Sequence, residues 1–103
     1  SKINFQREMS AYWITRCHVT DPDVYNKYLD LAGPAIKKFG GKFLVRGGKQ
    51  FEEEGQGFER TVLVEFSSLD QARKCYESTE YAEALNYSNR SSNRLVVLVE
   101  GLE

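Results

Sequence analysis

Hydrophobic and polar positions follow two different periods along the chain, and each change of period marks a predicted element. The run AYWITRCHV, from Ala11 to Val19, is rich in β-branched and aromatic residues and predicts a first strand. Its alternation places two sets of side chains on opposite faces, namely Trp13, Thr15, Cys17 and Val19 against Tyr12, Ile14, Arg16 and His18. Neither face is purely polar.

A helical period follows in TDPDVYNKYLDLAGPAIKKFGG. Asp21 is the predicted N-cap, Pro22 the first helical residue and Gly40 the stop signal. Apolar residues recur at helical spacing and predict an amphipathic helix. Pro34 is expected to bend or break this helix because its ring removes one backbone hydrogen bond, at a lower cost beside Gly33.

The second half of the chain predicts three more strands. Two of them lie in FLVRGGKQFEEEGQGFERTVLVEF and are joined by a loop at 52–57, and RLVVLVEGL predicts the last. A helix begins at a capping box formed by Ser68 and Gln71, and a further helical piece spans 79–89. The order β-α-β-β-α-(α)-β is that of an α+β, ferredoxin-like fold, in which helices cover one face of a four-stranded antiparallel sheet.

The residue pattern of the last strand predicts what covers the face of the sheet opposite to the helices. LVVLV, at Leu95 to Val99, is apolar at every position, and TVLV, at Thr61 to Val64, is nearly so. A sheet with one solvated face would alternate apolar and polar residues, so both faces are expected to be buried. The economical solution is a homodimer in which two copies pack sheet against sheet.

Composition narrows the class of protein. A chain of 103 residues is expected to form one domain, here residues 10–103 after a flexible leader of residues 1–9. Its 14 Lys+Arg balance 15 Asp+Glu, so no nucleic-acid partner is expected. Without an apolar run that could span a membrane or serve as a signal peptide, the sequence predicts a cytoplasmic protein with no membrane partner. Cys17 and Cys75 lack the spacing of a metal or redox motif and are expected to be free thiols.

The chain resembles the DUF1330 family, small proteins of unassigned role in the dimeric α/β-barrel superfamily. The resemblance covers about residues 10–102 and is carried by AYWI, VTDPDVYNKYLDLAGPAIKKFGGKFLVRGG, ER, VEF, CYESTEYAEAL and VEG. Cys75 stands where the family pattern WYxSxEYxxA more often has a large aromatic residue. The superfamily includes cofactor-independent monooxygenases, muconolactone isomerases, haem-degrading enzymes and ligand-sensing modules, so the resemblance implies a dimeric α/β barrel but no particular reaction.

The first candidate site lies where Arg46, Gly47 and Gly48 interrupt an apolar strand. Alternation combined with an odd-sum antiparallel register would place Glu65 of the next strand on the face of Arg46, at or one step from the directly opposed position. The pair then either ties two strands together beside the dimer interface or leaves the guanidinium to bind a ligand carboxylate. Glycine within a strand marks a bulge or a close approach by a ligand or another backbone, and both explanations fit.

Other candidates are single residues. His18 is the sole histidine and has too few neighbouring ligands for a metal site, so it is either structural or a proton carrier. Tyr28 and Tyr76 lie on the apolar faces of two predicted helices, where they either fill the core or direct hydroxyls into a cavity. Trp13 has the same two interpretations.

Two functional hypotheses remain, because P-loop, GxGxxG, HExxH and GxSxG motifs are all missing and no cofactor is implied. The first is a homodimeric small-molecule-binding protein, or a cofactor-independent enzyme acting on a small carbonyl or acidic metabolite. Arg46 would supply charge, Tyr28 and Tyr76 hydrogen bonds, and His18 or Glu65 proton transfer. The second is a non-catalytic assembly or ligand-sensing module. A ligand is expected between the first helix and the sheet, beside Tyr28.

Overall fold

The computed structural model describes residues 9–102, so the expected leader, apart from Met9, lies outside the described residues, and the leader-domain division stays a prediction. Within that range the elements are β1 (Ala11–Val19), α1 (Pro22–Lys38), β2 (Lys42–Arg46), β3 (Arg60–Phe66), α2 (Leu69–Tyr76), α3 (Thr79–Ser88) and β4 (Ser92–Glu100). The strands form one antiparallel sheet in the order β2-β3-β1-β4. The α+β, ferredoxin-like arrangement is confirmed.

Helix α1 begins and ends where its sequence predicts. Asp21 Oδ1 accepts a hydrogen bond from the Val24 N–H at 3.2 Å, and Pro22 occupies the first turn. Gly40 follows the helix with φ +85°, a conformation that favours glycine. Pro34 lies on the exposed side, and α1 continues through it to Lys38, so a break at this proline is excluded.

Trp13 lies at the centre of the core, between the sheet and the helices. Its side chain is 1% exposed and stacks on Phe66, with the ring centroids 6.0 Å apart. Tyr76 of α2 and Tyr81 of α3 pack against the same indole at 5.4 and 4.8 Å. The covered face of the sheet is therefore filled by aromatic residues from both halves of the chain.

The predicted contact between Arg46 and Glu65 is wrong. Lys42 stands opposite Glu65, but a bulge between Phe43 and Val45 shifts the register by one residue, and Arg46 stands opposite Val62. A one-residue shift moves every later side chain to the other face. Arg46 therefore faces the helices, whereas Glu65 faces away from them.

The face of the sheet that the helices do not cover has exposed aliphatic residues on both edge strands, beside the polar Arg16 and Glu65 of the central strands. Leu95, Val97 and Val99 of β4 point outward and are 58%, 52% and 42% exposed, and Val45 of β2 is 39% exposed. We call these four residues the open-face stripe. No helix within residues 9–102 is long and apolar enough to cross a membrane.

Candidate functional site

Three arginines lie at one end of the helix-facing side of the sheet. Arg60 of β3 and Arg94 of β4 both stand opposite Cys17 of β1, one on each side of it. Arg46 of β2 stands opposite Val62, two residues along β3 from Arg60. Because neighbouring strands are antiparallel, the first residues of β3 and β4 meet the last residues of β1 and β2 at this edge. The topology thus gathers three positive charges from three strands.

These arginines line a cleft between α1 and the sheet, which we call the arginine cleft. Its walls are otherwise aromatic, aliphatic or small, and none of its lining residues is acidic. Four ion pairs occur among residues 9–102, and none of them includes Arg46, Arg60 or Arg94. Three guanidinium charges in the described structure therefore lack a carboxylate partner.

Arg46 lies at the exposed side of the cleft. Its Cζ atom is 4.0 Å from the centroid of the Phe43 ring, a cation–π contact that the bulge in β2 makes accessible. Its guanidinium also lies against Gly33 of α1, where an added Cβ would be 2.9 Å from Nη2. Gly33 therefore gives Arg46 the room to lie over the helix.

Arg60 is the arginine of the three whose buried hydrogen-bonding groups are least satisfied. Its Nε atom is buried and has no hydrogen-bond partner in the described structure. Gly47, with φ +73°, lies directly against this side chain, and an added Cβ would be 3.0 Å from Arg60 Cζ. The left-handed backbone thus favours glycine at position 47, and the missing side chain leaves the space that Arg60 occupies.

Arg94 is held by two tyrosines. Its Cζ atom is 4.7 Å from the centroid of the Tyr28 ring, and Nη2 donates a hydrogen bond to the Tyr81 hydroxyl at 3.2 Å. The Tyr28 and Tyr81 hydroxyls are hydrogen-bonded to each other at 2.8 Å. Burial raises the pKa of Tyr81 well above its ordinary value, so the phenol stays neutral and does not balance the charge of Arg94.

The arginine cleft is narrow. About 20 Å³ is open to the centre of a water-sized molecule, which is room for about one water. Its total empty space, including the mouth, is about 390 Å³. A larger ligand must therefore displace a side chain, and Arg46 is the exposed arginine at the mouth.

Some of the predicted site residues meet in this cleft. Trp13, Tyr28 and Arg46 line it, and Gly47 supports it through Arg60. Tyr76 packs behind Trp13 and instead borders a separate depression beside α3.

Three predicted site residues lie elsewhere. Glu65 faces away from the helices, where it accepts a hydrogen bond from the Tyr12 hydroxyl at 3.4 Å. Gly48 is exposed and has nothing within 4 Å of an added Cβ. His18 is exposed, with Nδ1 2.9 Å from Glu59 Oε1. No cluster of His, Cys, Asp or Glu able to hold a metal ion occurs in the described part of the chain.

Glu59 joins the end of β1 to the start of β3. Its Oε2 accepts a hydrogen bond from the Val19 N–H at 2.9 Å, while Oε1 contacts His18. The backbone N–H of Val19, followed by His18, lowers the pKa of Glu59 from 4.5 to about 2. His18 therefore has a structural partner, outside the arginine cleft.

Sequence reasoning missed Arg60 and Arg94 as site residues. Both precede strictly alternating apolar positions, Val62 and Val64 in β3, and Val96 and Leu98 in β4. Extending that alternation back by two residues places each arginine on the core-facing side of its strand. An arginine at the end of a core-facing row of apolar residues was therefore the sequence signal that could have identified both residues.

The fold and the cleft define a ferredoxin-like α+β protein with an arginine-lined cavity between helix and sheet. The chain belongs to the DUF1330 family, described as a domain of unknown function, whose profile matches residues 10–102. No protein of curated function matches the sequence.

Three solved structures resemble the fold. The RPA0582 protein of Rhodopseudomonas palustris, of unknown function, has a TM-score of 0.77 and 15% identity, covering 100% of this chain and 94% of its own. SnoaB, a cofactor-independent oxygenase from Streptomyces nogalater, has a TM-score of 0.68 and 9% identity, covering 92% and 95%. A dimeric ferredoxin-like protein of unknown function from Bacteroides fragilis has a TM-score of 0.62 and 15% identity, covering 89% and 96%. These identities establish a shared fold alone.

Proposed function

We propose that this protein is a homodimer that binds a small organic acid in the arginine cleft of each subunit. The observation that carries the proposal is the convergence of Arg46, Arg60 and Arg94 on a cleft with no acidic lining residue. Guanidinium groups recognise carboxylates through paired, charge-assisted hydrogen bonds. A bound acid would supply the negative charge that the cleft itself lacks.

The hydrogen bonding of Arg60 supports a ligand. Arg60 keeps a buried Nε without a partner, and a buried donor left unsatisfied costs about 1–3 kcal/mol. A purely structural arginine in such a position would be expected to have a carboxylate or carbonyl partner. Apolar walls around a few converging polar groups are typical of small-molecule sites.

Binding is better supported than catalysis. SnoaB is a cofactor-independent oxygenase with the same fold, so an enzymatic role on a carbonyl or acidic metabolite is consistent with the architecture. The lining of the arginine cleft includes no His, Asp or Glu to accept a proton. Binding or sensing a ligand needs only the groups that line the cleft, whereas acid-base catalysis would need a further group from elsewhere.

The homodimer is proposed from the open-face stripe. Its four residues are aliphatic and substantially exposed in one chain, and packing two sheets face to face would bury them. The B. fragilis protein of the same fold is dimeric. The helices lie on the opposite face, so such a dimer leaves the arginine cleft of each subunit accessible.

Thermal unfolding with benzoate and with benzamide tests the ligand proposal, since the two differ by charge at nearly constant shape. A ligand that binds only the folded state raises the melting temperature. Benzoate should raise it more than benzamide, and Arg60→Gln should remove most of the difference. Arg73→Gln, which deletes an exposed charge on α2, is the matched control and should keep it. Equal responses to acid and amide would contradict the proposal.

A further inference from the structure

The three arginines are unevenly spaced across the sheet. Arg46 and Arg60 are diagonal neighbours on adjacent strands, so their Cα atoms are roughly 7–8 Å apart. Arg94 lies across β1 from Arg60, two strand spacings away, or about 10 Å. The cleft therefore has a paired positive end at β2 and β3 and a single positive end at β4.

The two ends differ in their surroundings as well as in their spacing. Arg46 and Arg60 lie among Phe43, Gly33 and Gly47, with no hydroxyl or carboxylate bound to either guanidinium in the described residues. Arg94 is fixed between the ring of Tyr28 and the hydroxyl of Tyr81. Each end is thus a separate cationic position.

Apolar surface separates the two ends. Cys17 of β1, which is fully buried, stands directly between Arg60 and Arg94. Val62 and Val64 of β3, with Leu29 and Ala32 of α1, complete the apolar lining. Thr15, two residues before Cys17 on the same face of β1, is already the acceptor for Trp13 Nε1 at 3.1 Å. A ligand that reaches both ends must therefore cross an apolar span.

We infer that the ligand of the arginine cleft carries two separate acid groups on a short apolar skeleton, a dicarboxylate, with one group at Arg46 and Arg60 and the other at Arg94. This inference rests on the proposed function. A monoacid would leave at least one end of the cleft without a counter-charge, and removing a charge from water without a partner is costly. Two acid groups would give both ends a carboxylate partner.

Entry of such a ligand requires one movement. The cleft has room for about one water, and Arg46 is the exposed arginine at its mouth. Its guanidinium is held by the Phe43 ring, a contact that a carboxylate can replace or strengthen. Movement of Arg46 therefore opens the cleft at its paired end, where Arg46 and Arg60 would bind one of the two acid groups.

Calorimetric titration of the full chain with benzoate, isophthalate and phenyl phosphate tests the inference. Isophthalate has two separated carboxylates, benzoate has one, and phenyl phosphate concentrates two charges on one group. Isophthalate should bind about tenfold more tightly than benzoate at low salt, because it adds a second charge-assisted contact. It should also bind more tightly than phenyl phosphate.

Variants at each end complete the test. Arg94→Gln should lower isophthalate affinity about tenfold and benzoate affinity much less, since benzoate keeps the paired end. If Arg94→Gln does not fold, Arg46→Gln on the exposed edge strand serves instead and should lower the affinities for benzoate and isophthalate by similar factors, because both would place a carboxylate at the paired end. Arg73→Gln should change neither affinity.

The outcomes separate the two levels of the proposal. Equal affinity for benzoate and isophthalate, or tightest binding of phenyl phosphate, would overturn the inference of a dicarboxylate ligand. The proposed function, binding of an acid in the cleft, would still stand. Failure of every acid to bind would overturn both the inference and the proposed function.

Discussion

Gly33 of α1 and Arg46 of β2 are in direct contact across the arginine cleft. A Cβ atom added at Gly33 would be 2.9 Å from Arg46 Nη2, closer than side-chain atoms normally approach. The glycine is buried within a helix, where it lowers stability relative to alanine. Its presence there is explained by the space that the guanidinium occupies.

Gly33→Ala should therefore raise the stability of the fold but weaken ligand binding. The helix should gain up to about 0.5–1 kcal/mol from alanine, since the atom in conflict is the end of a flexible, exposed side chain. Arg46 should be displaced, so benzoate should bind more weakly. Urea unfolding and calorimetry measure the two effects. Gly48→Ala, with nothing within 4 Å of the new Cβ, is the control, and equal binding by both variants would contradict the role of Gly33.

Arg46 and Glu65 should be energetically independent. They lie on opposite faces of the sheet, so replacing both by alanine should cost the sum of the single changes within about 0.5 kcal/mol. A double-mutant cycle by urea unfolding provides the measurement. A coupling energy above about 1 kcal/mol would show that the two side chains interact despite the bulge.

That bulge explains where sequence reasoning failed. The alternation in AYWITRCHV gave β1 its observed bounds, and Asp21, Pro22 and Gly40 gave those of α1, because both signals are local. The extra residue in β2 is fixed by pairing with β3, and no local pattern in KFLVR specifies it. Because the bulge shifts the register by one residue, the sequence-based prediction assigned Arg46 to the wrong face of the sheet.

The cleft itself was only partly predictable. A cavity between α1 and the sheet, beside Tyr28, was expected from a bend at Pro34, and a cleft lies there although α1 continues through Pro34. The charge of Arg46 was expected, but the charges of Arg60 and Arg94 were not, because these two residues become neighbours of Cys17 only when β3 and β4 pair with the two edges of β1. Such long-range pairing depends on topology, which single-strand patterns do not contain.

Glu59 should make stability fall in acid. Its pKa is lowered from 4.5 to about 2 in the folded protein, so its contribution is complete above about pH 4.5 and is lost as the pH falls toward 2. The difference in unfolding free energy between wild type and Glu59→Gln should accordingly be largest near pH 6 and shrink toward pH 2. Urea unfolding across this range is the measurement. Glu53→Gln, in the same loop, is the control; a difference independent of pH would contradict the assignment.

The open-face stripe should govern association. Val97→Lys would place a charge in the middle of the three β4 residues of the stripe, so the protein should shift from dimer to monomer while its circular dichroism stays unchanged. Light scattering at micromolar concentration reports the mass. Ala82→Lys adds the same side chain on the exposed side of α3 and should leave the dimer intact. A wild-type protein that is a stable monomer would refute sheet-to-sheet dimerisation.

The Tyr28–Tyr81 hydroxyl pair should stabilise the roof of the cleft. Tyr81 is fully buried and its hydroxyl contacts both the Tyr28 hydroxyl and Arg94, so Tyr81→Phe leaves two buried groups without that partner. The expected loss is about 1–3 kcal/mol of unfolding free energy. Tyr12→Phe removes a half-buried hydroxyl with a longer contact, 3.4 Å to Glu65, and should cost less than about 0.5 kcal/mol. Urea unfolding compares the two, and equal losses would mean that the pair adds nothing to stability. Because Arg94 is held by the same hydroxyl, Tyr81→Phe should also weaken isophthalate binding more than Tyr12→Phe does.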